Sequence, residues 1–213
     1  MIIVSFPVLW NNERKKVRIE SVIITGGKRC EEVNINEATE ATNYKLVYGS
    51  GETSVQDLIQ DGELQVDVQN ALRLIRKVEM YQWVEHKQTH KNNHGAETIQ
   101  YSYTAEWRED VLDSRMYYKV EEHENPGMMP YNSEVFNVQR VQFGAYQLAQ
   151  SQQNKFQVSK VMNLSDEQVQ KVTEVTHHRL NSYGYNDMHL EGDYLTAKKH
   201  GESLQVGDIR IIY

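Results

Sequence analysis

His86, His90 and His94 recur at four-residue spacing, which on a helix would align three imidazoles for a metal ion. Their surroundings argue against it. Asn92-Asn93-His94-Gly95 breaks any helix and no carboxylate joins the histidines in a ligand pattern, so a polar loop from His86 to Ile99 accounts for them. The same judgement covers His177-His178. Carboxylates lie close in sequence at Glu31-Glu32, at Glu106 with Glu109, and at Glu121-Glu122, but each set sits in a polar stretch that reads as a solvated face rather than an acid and base couple. A serine nucleophile would need a Gly-x-Ser-x-Gly elbow, and none occurs. Cys30, flanked by Arg29 and Glu31, has no histidine pattern around it. Gly49-Ser50-Gly51 has the small residues of a phosphate loop, but no Gly-Lys-Thr follows and a turn explains it. No catalytic residue, cofactor or metal ligand is therefore expected.

The elements that could position chemistry are more distinctive. Val78 to Glu85 and Tyr101 to Arg108 read as the two strands of a long β-hairpin. The period of two sends Val78, Met80 and Val84 to one face, and Glu79, Tyr81, Trp83 and Glu85 to the other. On the second strand Tyr101, Tyr103, Ala105 and Trp107 share a face. A ladder of aromatic rings between the strands is the expectation, each cross-strand pair adding roughly 0.5–1.5 kcal/mol beyond its buried area. Tyr81, Trp83, Tyr101, Tyr103, Trp107 and Arg108 are the residues singled out, as an interaction or core signature.

With 213 residues, 25% of them charged and 39% hydrophobic, the chain suits one sizeable folded domain, and its 13 Tyr and 3 Pro are those of a packed chain rather than a disordered one. A net charge of −7 speaks against nonspecific binding to a nucleic-acid backbone. A single cysteine rules out an internal disulfide.

Alternations at Tyr44, Leu46, Tyr48 and at Leu64, Val66, Val68 are expected to extend the hairpin into a sheet, and Ile209 with Ile211 mark another strand. A helix is plausible from Arg14 to Ile24, ended by Gly26-Gly27. Val138, Val141, Ala145 and Leu148 predict an amphipathic helix from about Ser133 to Gln150 lying on the sheet. Ser165 as cap, Gln168 completing a capping box and Leu164 stapled to Val169 predict a second helix. The fold class expected is α+β: an antiparallel sheet built on a long aromatic hairpin, with amphipathic helices packed on it.

Met1 to Trp10 is almost wholly apolar and gives way at once to Asn11-Asn12-Glu13-Arg14-Lys15-Lys16. Ten apolar residues fall short of the roughly 20 that span a bilayer, and no signal-cleavage pattern follows. Two readings stand: a buried strand, or the end of a transmembrane helix with Trp10 at the interface. The second divides the chain into residues 1–13, leaving the membrane, and a domain at 14–213, incomplete at its C-terminus. Both ends look cut from something longer.

Val78-Glu79-Met80-Tyr81-Gln82-Trp83-Val84-Glu85, with Tyr101-Ser102-Tyr103, Glu106-Trp107-Arg108 and Val206-Gly207-Asp208-Ile209-Arg210, closely resembles the LUMA family, transmembrane protein 43. Trp10-Asn11-Asn12-Glu13-Arg14 is similar to the family's Asn-Glu-Gly-Arg box, without its glycine, and His123-Glu124-Asn125-Pro126 to its His-Lys-Asn-Pro turn. The Gln-rich and His-rich loops depart from the family pattern. The resemblance implies a membrane protein whose large domain, between the first and later transmembrane helices, faces the lumen of the endoplasmic reticulum and the inner nuclear membrane. It implies an organiser associating with itself, lamins and emerin, with no established enzyme activity and no catalytic residues to carry over.

Two functions follow as expectations. One is a non-enzymatic membrane scaffold whose luminal domain mediates assembly with itself or other endomembrane and nuclear-envelope proteins. The alternative is a luminal ligand-binding or enzymatic module using the aromatic face, or an accessory subunit of a larger membrane complex. Neither calls for a cofactor or a nucleic acid.

Overall fold

The computed structural model describes residues 16–18, 20–21, 24–91, 97–156, 160–199 and 201–213. The apolar segment Met1 to Trp10, the expected boundary at residue 13, and His94 lie outside the described residues. Sheet dominates, most of it antiparallel, with few helices. The chain divides into two compact units, residues 1–56 with 140–155, and residues 57–139 with 156–213.

In the first unit residues 24–29 are helical, so the helix passes through Gly26-Gly27 instead of ending there. Glycine inside a helix costs about 1 kcal/mol relative to alanine, a penalty but not a stop. Strand β1 (Glu31–Glu32) pairs in parallel with β2 (Val47–Tyr48). Tyr44, expected in a strand, has φ of 63° and is exposed beside a turn. Strand β3 (Thr53–Ser54) pairs with β9 (Gln142–Phe143), which turns back into β10 (Tyr146–Gln147). Gly144 makes that turn at φ of 60°, against a backbone so close that a Cβ would sit 2.2 Å from the Ile35 carbonyl oxygen.

The second unit is organised by β6 (Arg73–Lys91), a strand of 19 residues, and its antiparallel partner β7 (Glu97–Arg108). The strands are longer than expected, so His86 and His90 lie on β6 rather than in a loop. Beside β6 runs β13 (Ile209–Ile212), then β12 (Tyr194–Ala197) and β11 (His189–Glu191), while β8 (Glu134–Asn137) pairs with Arg73 to Arg76. It is these strands that extend the hairpin. Val66 and Val68 belong instead to a separate two-stranded ladder of β4 (Ile59–Asp61) and β5 (Val66–Val68).

The helix expected from Ser133 to Gln150 is absent: β8, β9 and β10 occupy that stretch, and a helix of four residues, Gln150–Gln153, follows. Val138 and Val141 are buried as the apolar pattern required, but in irregular chain between strands. Pairing of β8 with β6 and the positive φ at Gly144 overrode the helical period. The helix Asp166–Ser182 does form; Ser165 Oγ accepts from Gln168 N at 3.3 Å, the Gln168 side chain returns to Ser165 N at 3.1 Å, and Val172, Thr176 and Leu180 make its buried stripe.

Alternation decides the core. Val78, Met80, Leu195, Ala197, Ile209 and Ile211 are fully buried on one face of the sheet, and each large side chain among them contributes roughly 1.5–3 kcal/mol. Arg76, 1% exposed, centres an ion cluster: it donates to Asp61 Oδ2 at 2.6 Å, Glu63 Oε2 at 2.7 Å and the Asn132 carbonyl at 2.9 Å. Tyr213 donates to the same Asp61 oxygen at 2.6 Å, and burial followed by that carboxylate pushes its phenol pKa upward.

Candidate functional site: an aromatic sheet face

The opposite face of the same sheet is half-exposed and carries the singled-out rings. Register places Tyr81 opposite Trp107, Trp83 opposite Ala105, Glu85 opposite Tyr103 and Lys87 opposite Tyr101, all on one side. Of the rings expected to form a cross-strand ladder, Tyr81 and Trp107 meet directly, with centroids 5.3 Å apart. Tyr101, Tyr103 and Trp83 find partners elsewhere. The segment that returns from β7 lays Tyr118 parallel to Tyr101 at 4.7 Å and His123 over Tyr103 at 3.7 Å, with the His123 and Trp83 rings nearly perpendicular and their centroids 4.7 Å apart. Sequence alternation cannot reveal such a segment, because the rings it supplies come from 3₁₀ turns and loops.

Arg210 continues this face. Its guanidinium lies 4.4 Å from the Trp107 ring and 4.3 Å from that of Tyr194, and it donates through Nε to Glu79 Oε2 at 2.7 Å. Lys77 takes the other Glu79 oxygen at 2.7 Å. Burial opposes the Glu79 charge, but these hydrogen bonds outweigh it and hold the carboxyl below its ordinary range. Tyr194, Thr196 and Lys198 line a recess of about 250 Å³ beside Arg210. Arg108 does not join them. Adjacent residues of a strand face opposite ways, so Arg108 sits across the sheet from Trp107, 3.9 Å from Glu106.

The motifs quoted from the sequence now have physical roles. In Val206-Gly207-Asp208-Ile209-Arg210, Gly207 turns at φ of 102° and accepts the Tyr185 hydroxyl at 2.6 Å. Asp208 is fully buried and takes Lys199 N at 2.8 Å and Gln205 N at 2.9 Å, fastening the loop that enters β13. Ile209 enters the core and Arg210 the aromatic face. In His123-Glu124-Asn125-Pro126, His123 stacks while Asn125 binds the Trp83 backbone.

Tyr101, Tyr103, Tyr118, Lys119 and His123 line a cleft of about 580 Å³ that opens to solvent. Several of its polar groups are engaged within the protein: Tyr103 donates to Glu85 Oε2 at 2.7 Å, its oxygen accepts from Lys119 N at 3.0 Å, and His123 Nδ1 lies 3.1 Å from the Lys119 carbonyl. Burial, then the Glu85 hydrogen bond, raises the Tyr103 pKa. His86 contacts Thr104 Oγ1 at 2.8 Å and Glu106 at 3.5 Å, and His90 lies four residues further along an extended strand, roughly 13 Å at the usual rise. No cluster of three or more His, Cys, Asp or Glu with metal-binding geometry occurs among the described residues.

This is a sheet domain with a buried apolar face and an aromatic, charge-paired outer one. A family model described as Transmembrane protein 43 matches residues 80–213, covering the hairpin from Met80, the segment that stacks on it and β13. The transmembrane protein 43 homolog of Drosophila melanogaster is 32% identical over 117 residues, 53% of this chain and 31% of that protein. Transmembrane protein 43 of Homo sapiens is 24% identical over 215 residues, 99% of this chain and 50% of that protein, and the Mus musculus protein matches to the same extent. The chain belongs to the transmembrane protein 43 family. It spans about half the length, or less, of these curated relatives. No solved structure matches it. The family is one of transmembrane proteins; among the described residues no helix is long and apolar enough to cross a membrane.

Proposed function

We propose that the chain is the assembly domain of a non-enzymatic membrane scaffold, facing the lumen of the endoplasmic reticulum and inner nuclear membrane. It is anchored through an N-terminal helix and associates with itself or with other nuclear-envelope proteins, lamins and emerin being the partners the family resemblance suggests. The observation that carries this reading is the outer sheet face. Trp, Tyr and Arg dominate the energetically important parts of protein interfaces, and here Tyr194, Arg210, Trp107, Tyr81, Tyr103 and Tyr101 lie along one half-exposed sheet face. Stacking fixes their rotamers before any partner arrives, which lowers the entropy lost on docking. Neutralisation of Arg210 by Glu79 suits an apolar contact better than proton transfer.

The test uses two differently tagged copies of the full-length protein in one membrane. Co-purification that falls when Tyr101 and Tyr118 are both changed to Ser, with the fold retained by circular dichroism, supports the reading; unchanged co-purification rejects the role of this face. A second reading, a ligand-binding module, rests on the open cleft beside Tyr101 and Lys119. Binding of a small amphiphile to the wild-type protein that Tyr118→Ser abolishes would favour it.

A further inference from the structure

The chain contains a single Asn-x-Ser/Thr triplet, Asn163-Leu164-Ser165, and neither Leu164 nor the following Asp166 is proline. It lies in the irregular segment that leads into the helix Asp166–Ser182. Asn163 is exposed, and its carboxamide makes no hydrogen bond among the described residues. The backbone on either side is held: Met162 N donates to the Tyr213 carbonyl at 2.8 Å, and Ser165 Oγ accepts from Gln168 N at 3.3 Å. An exposed side-chain amide, free among the described residues, is thus presented from an anchored stretch of chain.

We infer that Asn163 carries an N-linked oligosaccharide. The inference rests on the luminal orientation proposed above, since the transfer takes place on that side of the membrane. The donor is an oligosaccharide on a polyprenyl pyrophosphate. Asn163 Nδ2 attacks C1 of its first sugar; the C–N bond forms as the bond from C1 to the pyrophosphate oxygen breaks, the lipid pyrophosphate leaves with the electron pair, and the amide releases one proton. Nothing is oxidised or reduced. In the folded chain the Ser165 hydroxyl is engaged by the helix cap, and the Gln168 side chain that completes the cap also reaches the Asp67 carbonyl at 2.9 Å. Transfer therefore precedes closure of this cap, while the chain is entering the lumen. Afterwards the glycan projects from an exposed position and displaces no packed side chain.

The experiment expresses the full-length protein in eukaryotic cells and treats its membranes with peptide-N-glycosidase F. The expected result is a faster-migrating band after treatment, lost in Asn163→Gln and retained in Ser165→Thr, which keeps both the hydroxyl and the cap. Gly201→Asn in the Asn163→Gln background tests orientation separately. It completes a triplet with Glu202 and Ser203 at an exposed turn, where φ is 72°, nothing lies within 4 Å of a Cβ, and Asn is among the best-tolerated replacements. If the wild type does not shift but Gly201→Asn does, the Asn163 assignment is overturned and the luminal orientation stands. If neither shifts, both are overturned.

Discussion

Asn125 binds both backbone groups of Trp83, its Oδ1 accepting from Trp83 N at 2.7 Å and its Nδ2 donating to Trp83 O at 2.9 Å. One side chain thus takes the place that the loop entering β13 holds at Tyr81, whose N–H and C=O pair with Asp208 and Gly207. Without it the Trp83 N–H would be left unpaired beside a stacked imidazole. Asn125→Ala is expected to destabilise the second unit by about 1–3 kcal/mol, the cost of one buried unsatisfied donor. Asn125→Asp, which keeps the acceptor, should lose less. Urea unfolding followed by Trp fluorescence reads both, and equal losses would refute the assignment.

Arg210 cannot be replaced by an equal charge. Lysine lacks the planar guanidinium that lies between Trp107 and Tyr194 while reaching Glu79, so Arg210→Lys is expected to cost about 1–2 kcal/mol. The measurement is the denaturation midpoint of the variant against wild type.

Glu79 gives the same cluster a pH signature. Its folded pKa is depressed, so its contribution to stability is complete above the unfolded value of about 4.3 and is lost as pH falls through the lower folded value. Glu79→Gln should flatten the acid limb of a stability–pH curve there, while leaving the shape above neutrality unchanged. A curve that keeps its acid limb would assign the effect to other carboxylates.

Arg76→Ala strands the buried Asp61 carboxylate, and a loss of about 3–5 kcal/mol is expected. A double-mutant cycle with Asp61→Ala should show strong coupling, because the second substitution removes the charge that the first left unpaired. Additive losses would show the two to be independent.

Gly144→Ala combines a positive φ with a Cβ 2.2 Å from the Ile35 carbonyl oxygen. Amide exchange should accelerate from Gln142 to Gln147 while Val78 and Ile209 in the other unit stay protected.

Much of the second unit was legible because its signals are local. Alternation at Val78, Met80, Ile209 and Ile211 identified both strands, though not which face of the hairpin is buried, and the Ser165 cap marked a helix start. The interval around Val138 and Val141 misled because two buried valines three apart satisfy a helix, while the pairing of Glu134–Asn137 with Arg73 to Arg76 depends on chain sixty residues away. The aromatic signature was half legible for the same reason. Tyr81 and Trp107 meet by strand register, but Tyr118, His123 and Tyr194 arrive from other parts of the fold, and Arg108, read with Trp107, faces the other way. Trp107, singled out as part of an interaction or core signature, is half-exposed, so truncating it removes ring contacts rather than a core side chain.

Strand β6 is continuous over 19 residues, roughly 60 Å at the usual rise, and is gripped in turn by β8, by Ser133 Oγ on Val78 N at 3.0 Å, by β13, by Asn125, and by the whole of β7. Mechanically it is a strut. Tension along its axis loads the hydrogen bonds to β8 and β13, which lie outside the hairpin, together in shear, whereas a sideways pull peels them one at a time. A domain built around such a member resists force along one direction far better than across it.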